Sequence, residues 1–107
     1  MIDIPEKVSA NAMYAGLHWT KRKELADLYH MALIEHRGTK WPTPAHLSFT
    51  FSFKGKLLDC SNTFFMAKML EDSMVVNGII PDDTPAYVAS ITVRVLKGTK
   101  DMVTIAA

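Results

Sequence analysis

His46-Leu47-Ser48-Phe49-Thr50-Phe51-Ser52-Phe53-Lys54 alternates apolar and polar residues without a break. Successive side chains of a strand point to opposite sides, so Leu47, Phe49, Phe51 and Phe53 share one face, which must be buried. Pro42 and Pro44 precede the run and Gly55 ends it. A strand this apolar on one side needs a covering layer, and helical patterns flank it.

Upstream, Thr20 is placed to cap a helix in which Leu25, Leu28, Tyr29, Ala32 and His36 recur at helical spacing as far as Arg37-Gly38. Lys23, Asp27 and His30 fall on its water side. Downstream, Ser61 or Asn62 is placed to cap a second helix that reaches Asn77-Gly78. Its apolar residues, Phe65, Met66, Ala67, Met69, Leu70, Met74 and Val76, cover most of the circumference, leaving Lys68, Glu71 and Asp72 on one narrow stripe. Residues 87–96 alternate through Tyr87, Ala89, Ile91, Val93 and Val95, then pass through Lys97-Gly98-Thr99-Lys100-Asp101 into Met102-Val103-Thr104-Ile105. That pattern reads as a hairpin. The expected fold is α+β: a small mixed sheet with two main helices, in the order short strand or arm, α, β, α, β, β.

A chain of 107 residues, 49% apolar, has material for one core, so residues 1–107 are read as a single domain. No apolar run is long enough to span a membrane, and Met1-Ile2-Asp3-Ile4-Pro5-Glu6 is not the start of a signal peptide. With Cys60 as its one cysteine, the chain has neither an internal disulfide nor a zinc pattern, and the expected compartment is the cytoplasm. The four histidines have no metal-ligand spacing. The net charge of +1 divides unevenly: residues 1–58 carry 8 Lys/Arg against 5 Asp/Glu, and residues 59–107 carry 4 against 6. A basic surface for a polyanion beside an acidic pocket for a cation is compatible with that division.

Most of the second-half acidity gathers around the Met-rich helix: Asp59 before it, Glu71 and Asp72 on it with Lys68, and Asp82-Asp83 after it. Carboxylates converging near a lysine are the usual oxygen-ligand site for Mg²⁺ acting on phosphates. Each residue also has a plainer reading. Asp59 or Ser61 can cap the helix, worth about 1 kcal/mol. Pro81-Asp82-Asp83-Thr84-Pro85 is an ordinary turn composition, and Lys68 with Asp72 makes a helix-surface ion pair. Whether Asp59 and Asp83 meet is a matter of tertiary structure.

Leu57-Leu58-Asp59-Cys60-Ser61-Asn62, followed by Lys68, Asp72 and Gly78-Ile79-Ile80-Pro81-Asp82-Asp83, resembles the core of the RusA-like Holliday-junction resolvases, endonucleases common in phages and prophages. Ser9-Ala10-Asn11-Ala12-Met13-Tyr14 and His18-Trp19-Thr20-Lys21-Arg22-Lys23 are similar to the arm and basic segment of phage members. The resemblance implies an intertwined homodimer that binds a four-way DNA junction and makes paired nicks with Mg²⁺ or Mn²⁺, in the host cytoplasm if phage-encoded. Carried onto this chain, it implies Asp59, Lys68, Asp82 and Asp83 as catalytic residues. It implies Asp59, Asp72, Asp82 and Asp83 as metal ligands. DNA contacts are expected from Lys21, Arg22, Lys23, Lys54 and Lys56, with Asn11 and Tyr14 on the arm. A Met-rich helix that needs more covering than one sheet also fits a dimer.

The chain departs from the family pattern between Asn62 and Lys68. The commonest form reads Asp-x-Asp-Asn, two residues, Lys, three residues, Asp, whereas five residues separate Asn62 from Lys68 here. With an insertion, Ser61 takes the place of the second acid; without one, Asn62 and Phe64 occupy the acidic positions. Either alignment lacks a carboxylate, which leaves a second reading open: a branched-DNA-binding protein of the same fold with weakened or lost cleavage.

Overall fold

A computed structural model describes residues 2–9 and 19–106. Its elements are β1 (Ile2–Asp3), α1 (Trp19–Ala32), a 3₁₀ turn (Ile34–His36), β2 (Ala45–Phe53), a second 3₁₀ turn (Cys60–Thr63), α2 (Phe64–Val76), β3 (Val88–Lys97) and β4 (Met102–Ala106). The fold is α+β, with two helices on one face of a four-stranded mixed sheet ordered β1-β4-β2-β3.

β2 is the central strand, and its alternation reads directly onto the structure. Ala45, Leu47, Phe49, Phe51 and Phe53 are buried, while His46 is exposed and Ser48, Thr50 and Ser52 are half-buried on the other face. Register carries the apolar face across the sheet: Phe49 lies between Val93 and Ile105, and Phe51 between Val95 and Val103. Burying each such phenylalanine contributes about 1.5–3 kcal/mol. The phenylalanines meet Leu25, Tyr29 and Leu33 of the α1 region and Met66, Leu70 and Met74 of α2 in one continuous core.

The expected β3–β4 hairpin is not formed. β3 runs parallel to β2 on one side, and β4 runs antiparallel to β2 on the other. The α2 crossover delivers β3 in the parallel sense, and the central strand then has both of its hydrogen-bonding edges paired, which a β3–β4 hairpin would prevent. Residues 98–101 step across the end of β2 to make this possible. Gly98 N–H donates to Phe53 O at 3.0 Å, and Ser52 Oγ donates to Lys100 O at 3.1 Å. A Cβ on Gly98 would stand 2.7 Å from Ser52 Oγ, so the crossing needs glycine.

α1 is shorter than its sequence pattern. It includes Trp19, so Thr20 lies in its first turn instead of at its cap, and it stops at Ala32 before the 3₁₀ turn. Leu25 and Tyr29 are fully buried as expected, but Leu28 is 46% exposed and His36 is exposed. The core needs only the Leu25–Tyr29–Leu33 line, because the sheet it covers is narrow. Tyr29 donates its hydroxyl proton to Glu6 O at 2.7 Å, and burial, with the nearby Glu6 carboxylate, raises its pKa.

His30 does not simply face water. Its Nδ1 lies 2.8 Å from Ser73 Oγ, which donates its own proton to Met69 O at 2.6 Å. The imidazole therefore supplies the proton in the His30–Ser73 bond. Asn77 Nδ2 donates to His30 O and Ser73 O, completing a polar seam between the two helices.

α2 starts at Phe64, with the Cys60–Thr63 turn in front of it, and neither Asp59 nor Thr63 makes a side-chain cap bond. The cap reading of Asp59 is thus replaced by a 3₁₀ entry, in which Asn62 N–H donates to Asp59 O and Thr63 Oγ1 to Cys60 O. The far end closes as the Asn77-Gly78 reading expects. Gly78 takes φ +72°, Ile79 N–H donates to Met74 O at 2.8 Å, and Gly78 N–H to Val75 O at 3.0 Å. This is a Schellman turn, and Ile79 is buried with Met74 beneath it. Among the described residues no helix is long and apolar enough to cross a membrane.

Candidate functional site

Residues at i, i+3 and i+4 of a helix share one face, and Lys68, Glu71 and Asp72 of α2 do so. The Lys68 ammonium lies 3.3 Å from Glu71 Oε1 and 3.0 Å from Asp72 Oδ1. Its shortest contact comes from another segment: Asp83 Oδ2 at 2.7 Å. The Schellman turn sends the chain back from the end of α2, and buried Ile79 and Ile80 anchor it. Asp83 then falls beside the helix, its N–H donating to Asp82 Oδ1 at 2.7 Å. Tyr87 and Val88 N–H both donate to Thr84 O, which turns the loop into β3.

Carboxylate oxygens of Glu71, Asp72 and Asp83 lie within 4.8 Å of one another. The Asp83 hydrogen bond is the largest influence on Lys68 and raises its pKa, with Asp72 and Glu71 adding to the effect. The same contact holds the Asp83 carboxyl below its ordinary value. Glu71 moves the other way. Its side chain is only 6% exposed, and burial raises its pKa against the opposing pull of Lys68.

Three carboxylates at this spacing are hard oxygen donors of the kind that suits Mg²⁺ or Mn²⁺. Lys68 supplies the positive charge at their centre here. Its half-exposed side chain has room to turn outward, where the ammonium would neutralise a phosphate oxygen while the carboxylates held a divalent ion.

Of the residues expected at this site, Lys68, Asp72 and Asp83 come together. Asp82 is exposed beside them and braces the loop through the Asp83 N–H. Asp59, exposed and extended ahead of the Cys60–Thr63 turn, is outside the convergent group, and Ser61 is exposed within that turn. Glu71 joins the group: the sequence places it in the acidic cluster around Lys68, but it is not among the ligands that the resemblance implies. The signal for it is its i+3 spacing from Lys68; its burial comes from tertiary packing, which spacing does not show.

The expected DNA contacts are dispersed. Lys21 pairs with Glu6 at 3.1 Å, and Lys23 pairs with Asp27 at 3.1 Å on the exposed face of α1. Arg22 is exposed on the same helix. Lys54 and Lys56 are exposed in the turn after β2. Asn11 and Tyr14 lie outside the described residues. No family model, characterised protein or solved structure matches the chain, so the site stands on its own geometry.

Proposed function

We propose that this chain is a metal-dependent, structure-selective endodeoxyribonuclease that nicks branched DNA such as a four-way junction. The observation that carries this reading is the convergence of Asp83, Asp72 and Glu71 on Lys68 from two separate segments. A divalent ion, Mg²⁺ or Mn²⁺, bound to such carboxylates supplies activation of water and stabilisation of charge at phosphorus. Asp83, Asp72 and Glu71 would hold it, with Asp82 bracing the loop. Lys68 neutralises a non-bridging phosphate oxygen as negative charge grows there. Asp59, in front of α2, is assigned to the same reaction by the resemblance to the RusA-like resolvases and not by its position. A homodimer would set two such sites against the two equivalent strands of a junction.

A second reading is favoured by a specific observation: the Lys68 ammonium already sits among the three carboxylates and pairs with each of them, and Asp59 stands outside the group. A junction-binding protein with weakened or lost cleavage would have this arrangement. The two readings separate on one experiment, in which the protein is incubated with a labelled four-way junction and a linear duplex in Mg²⁺, Mn²⁺ or EDTA. Paired, metal-dependent nicks in the junction, abolished by Asp83→Ala while binding is kept, are expected for the nuclease. Tight junction binding without nicks in either metal would establish the binding protein instead.

A further inference from the structure

The turn that follows β2 gathers lysines from four separate segments. Lys54 and Lys56 lie in the turn itself, and Lys97 pairs with Phe53 at the end of β3. Lys7 comes from the N-terminal segment and Lys100 from the connection between β3 and β4. Hydrogen bonds draw them together. Lys97 Nζ donates to the carbonyls of Lys54 and Gly55, and Lys7 Nζ donates to Lys56 O while lying 4.6 Å from the centre of the Phe53 ring. Ser52 Oγ holds Lys100 by its carbonyl.

Carboxylates also lie near these lysines, among them Asp101, Asp3 and, beside Lys7, Glu6, which pairs with Lys21. Asp101 accepts the Lys54 N–H at 3.1 Å, and Asp3 pairs in register with Met102. None of the five lysines forms an ion pair among the described residues, in contrast to Lys21, Lys23 and Lys68. Five like charges drawn to one end of the sheet repel one another, and an extended polyanion relieves that repulsion. The lysines form an open rim spread over several segments, which suits a string of phosphates better than one small anion.

Resting on the proposed DNA reading, we infer that Lys7, Lys54, Lys56, Lys97 and Lys100 form a phosphate-backbone rim that grips a DNA arm away from the acidic cluster. Asp83 lies on the loop that enters β3 and Lys97 at its exit, and a ten-residue strand spans about 30 Å. The carboxylates that would act at the scissile phosphate also repel the backbone around it. The rim supplies the compensating attraction at the other end of the strand.

The test is fluorescence anisotropy with a linear duplex and a four-way junction in EDTA, over a KCl series, so that no cleavage is needed. Lys56→Gln with Lys100→Gln removes two charges whose ammonium groups make no hydrogen bond among the described residues, and a second variant adds Lys7→Gln and Lys97→Gln. The plot of log affinity against log salt should flatten by about 2 in the first variant and by about 4 in the second. Affinity near 50 mM salt should fall by about tenfold or more, with the thermal midpoint of the first variant unchanged. An unchanged slope in both variants, with wild-type binding intact, would overturn the rim and leave the nuclease reading standing. Wild-type protein that binds phosphatidylserine vesicles but neither DNA would overturn both. A flattened slope in a protein that never nicks would support the rim and remove only the cleavage.

Discussion

Around Lys68, Glu71 and Asp83 are shifted in opposite directions, and the signs make a test. Burial raises the Glu71 pKa, so its contribution to stability is full below the ordinary carboxyl value and is lost as pH rises through the raised one. Asp83 is held low by the Lys68 hydrogen bond. Its contribution is present above the ordinary carboxyl value and is lost as pH falls through the lowered one. Glu71→Gln should therefore unfold at a higher temperature than the wild type at pH 7, with the gap closing on acidification through the carboxyl range. Asp83→Asn should unfold at a lower temperature at pH 7, and its gap should also close at low pH. Thermal melts of the three proteins between pH 3 and 7 check this; a Glu71→Gln protein less stable at pH 7 would show that ionised Glu71 supports the fold. Glu71 also marks where reading by spacing stops. Its i+3 relation to Lys68 is visible in the chain, but its burial depends on what packs against α2.

Two glycines decide how elements are joined, for different reasons. At Gly78 the backbone has φ +72° and open space around the missing side chain, so Gly78→Ala meets only the strain of the left-handed conformation. The cost should be about 1 kcal/mol. At Gly98 the conformation is ordinary but a Cβ would stand 2.7 Å from Ser52 Oγ and 2.9 Å from its Cβ. Gly98→Ala should cost about 1–3 kcal/mol by pushing the crossing loop off the end of β2. Urea unfolding of the two variants should rank them in that order, and equal midpoints would show that the loop moves aside freely. The Gly78 turn was legible because a glycine after an apolar helix is a local signal. The role of Gly98 was not, since its neighbour Ser52 is distant in sequence. The same residues, Lys97 to Asp101, look like a hairpin turn until β2 is seen to occupy the gap between β3 and β4.

Across the whole molecule the core hangs on β2, where Phe49 and Phe51 are fully buried and flanked on both sides by strands. Phe49→Ala should cost about 3–5 kcal/mol, a large share of the roughly 5–15 kcal/mol expected for a domain of this kind. A chemical-unfolding midpoint that barely moved would mean that the strand is not central. The α+β class, the strand at residues 45–53, both helices and the Gly78 terminus follow from periodicity and end signals, which act between residues a few positions apart. Lys68 and Asp72 are visible as a pair for the same reason. The placement of Asp83 on Lys68, the burial of Glu71, the separation of Asp59 and the division of β3 from β4 follow from packing around β2. Contacts between residues far apart in the chain leave no period or spacing to read. They form because a strand with a fully apolar face and two open edges draws in whichever segments can cover and pair with it.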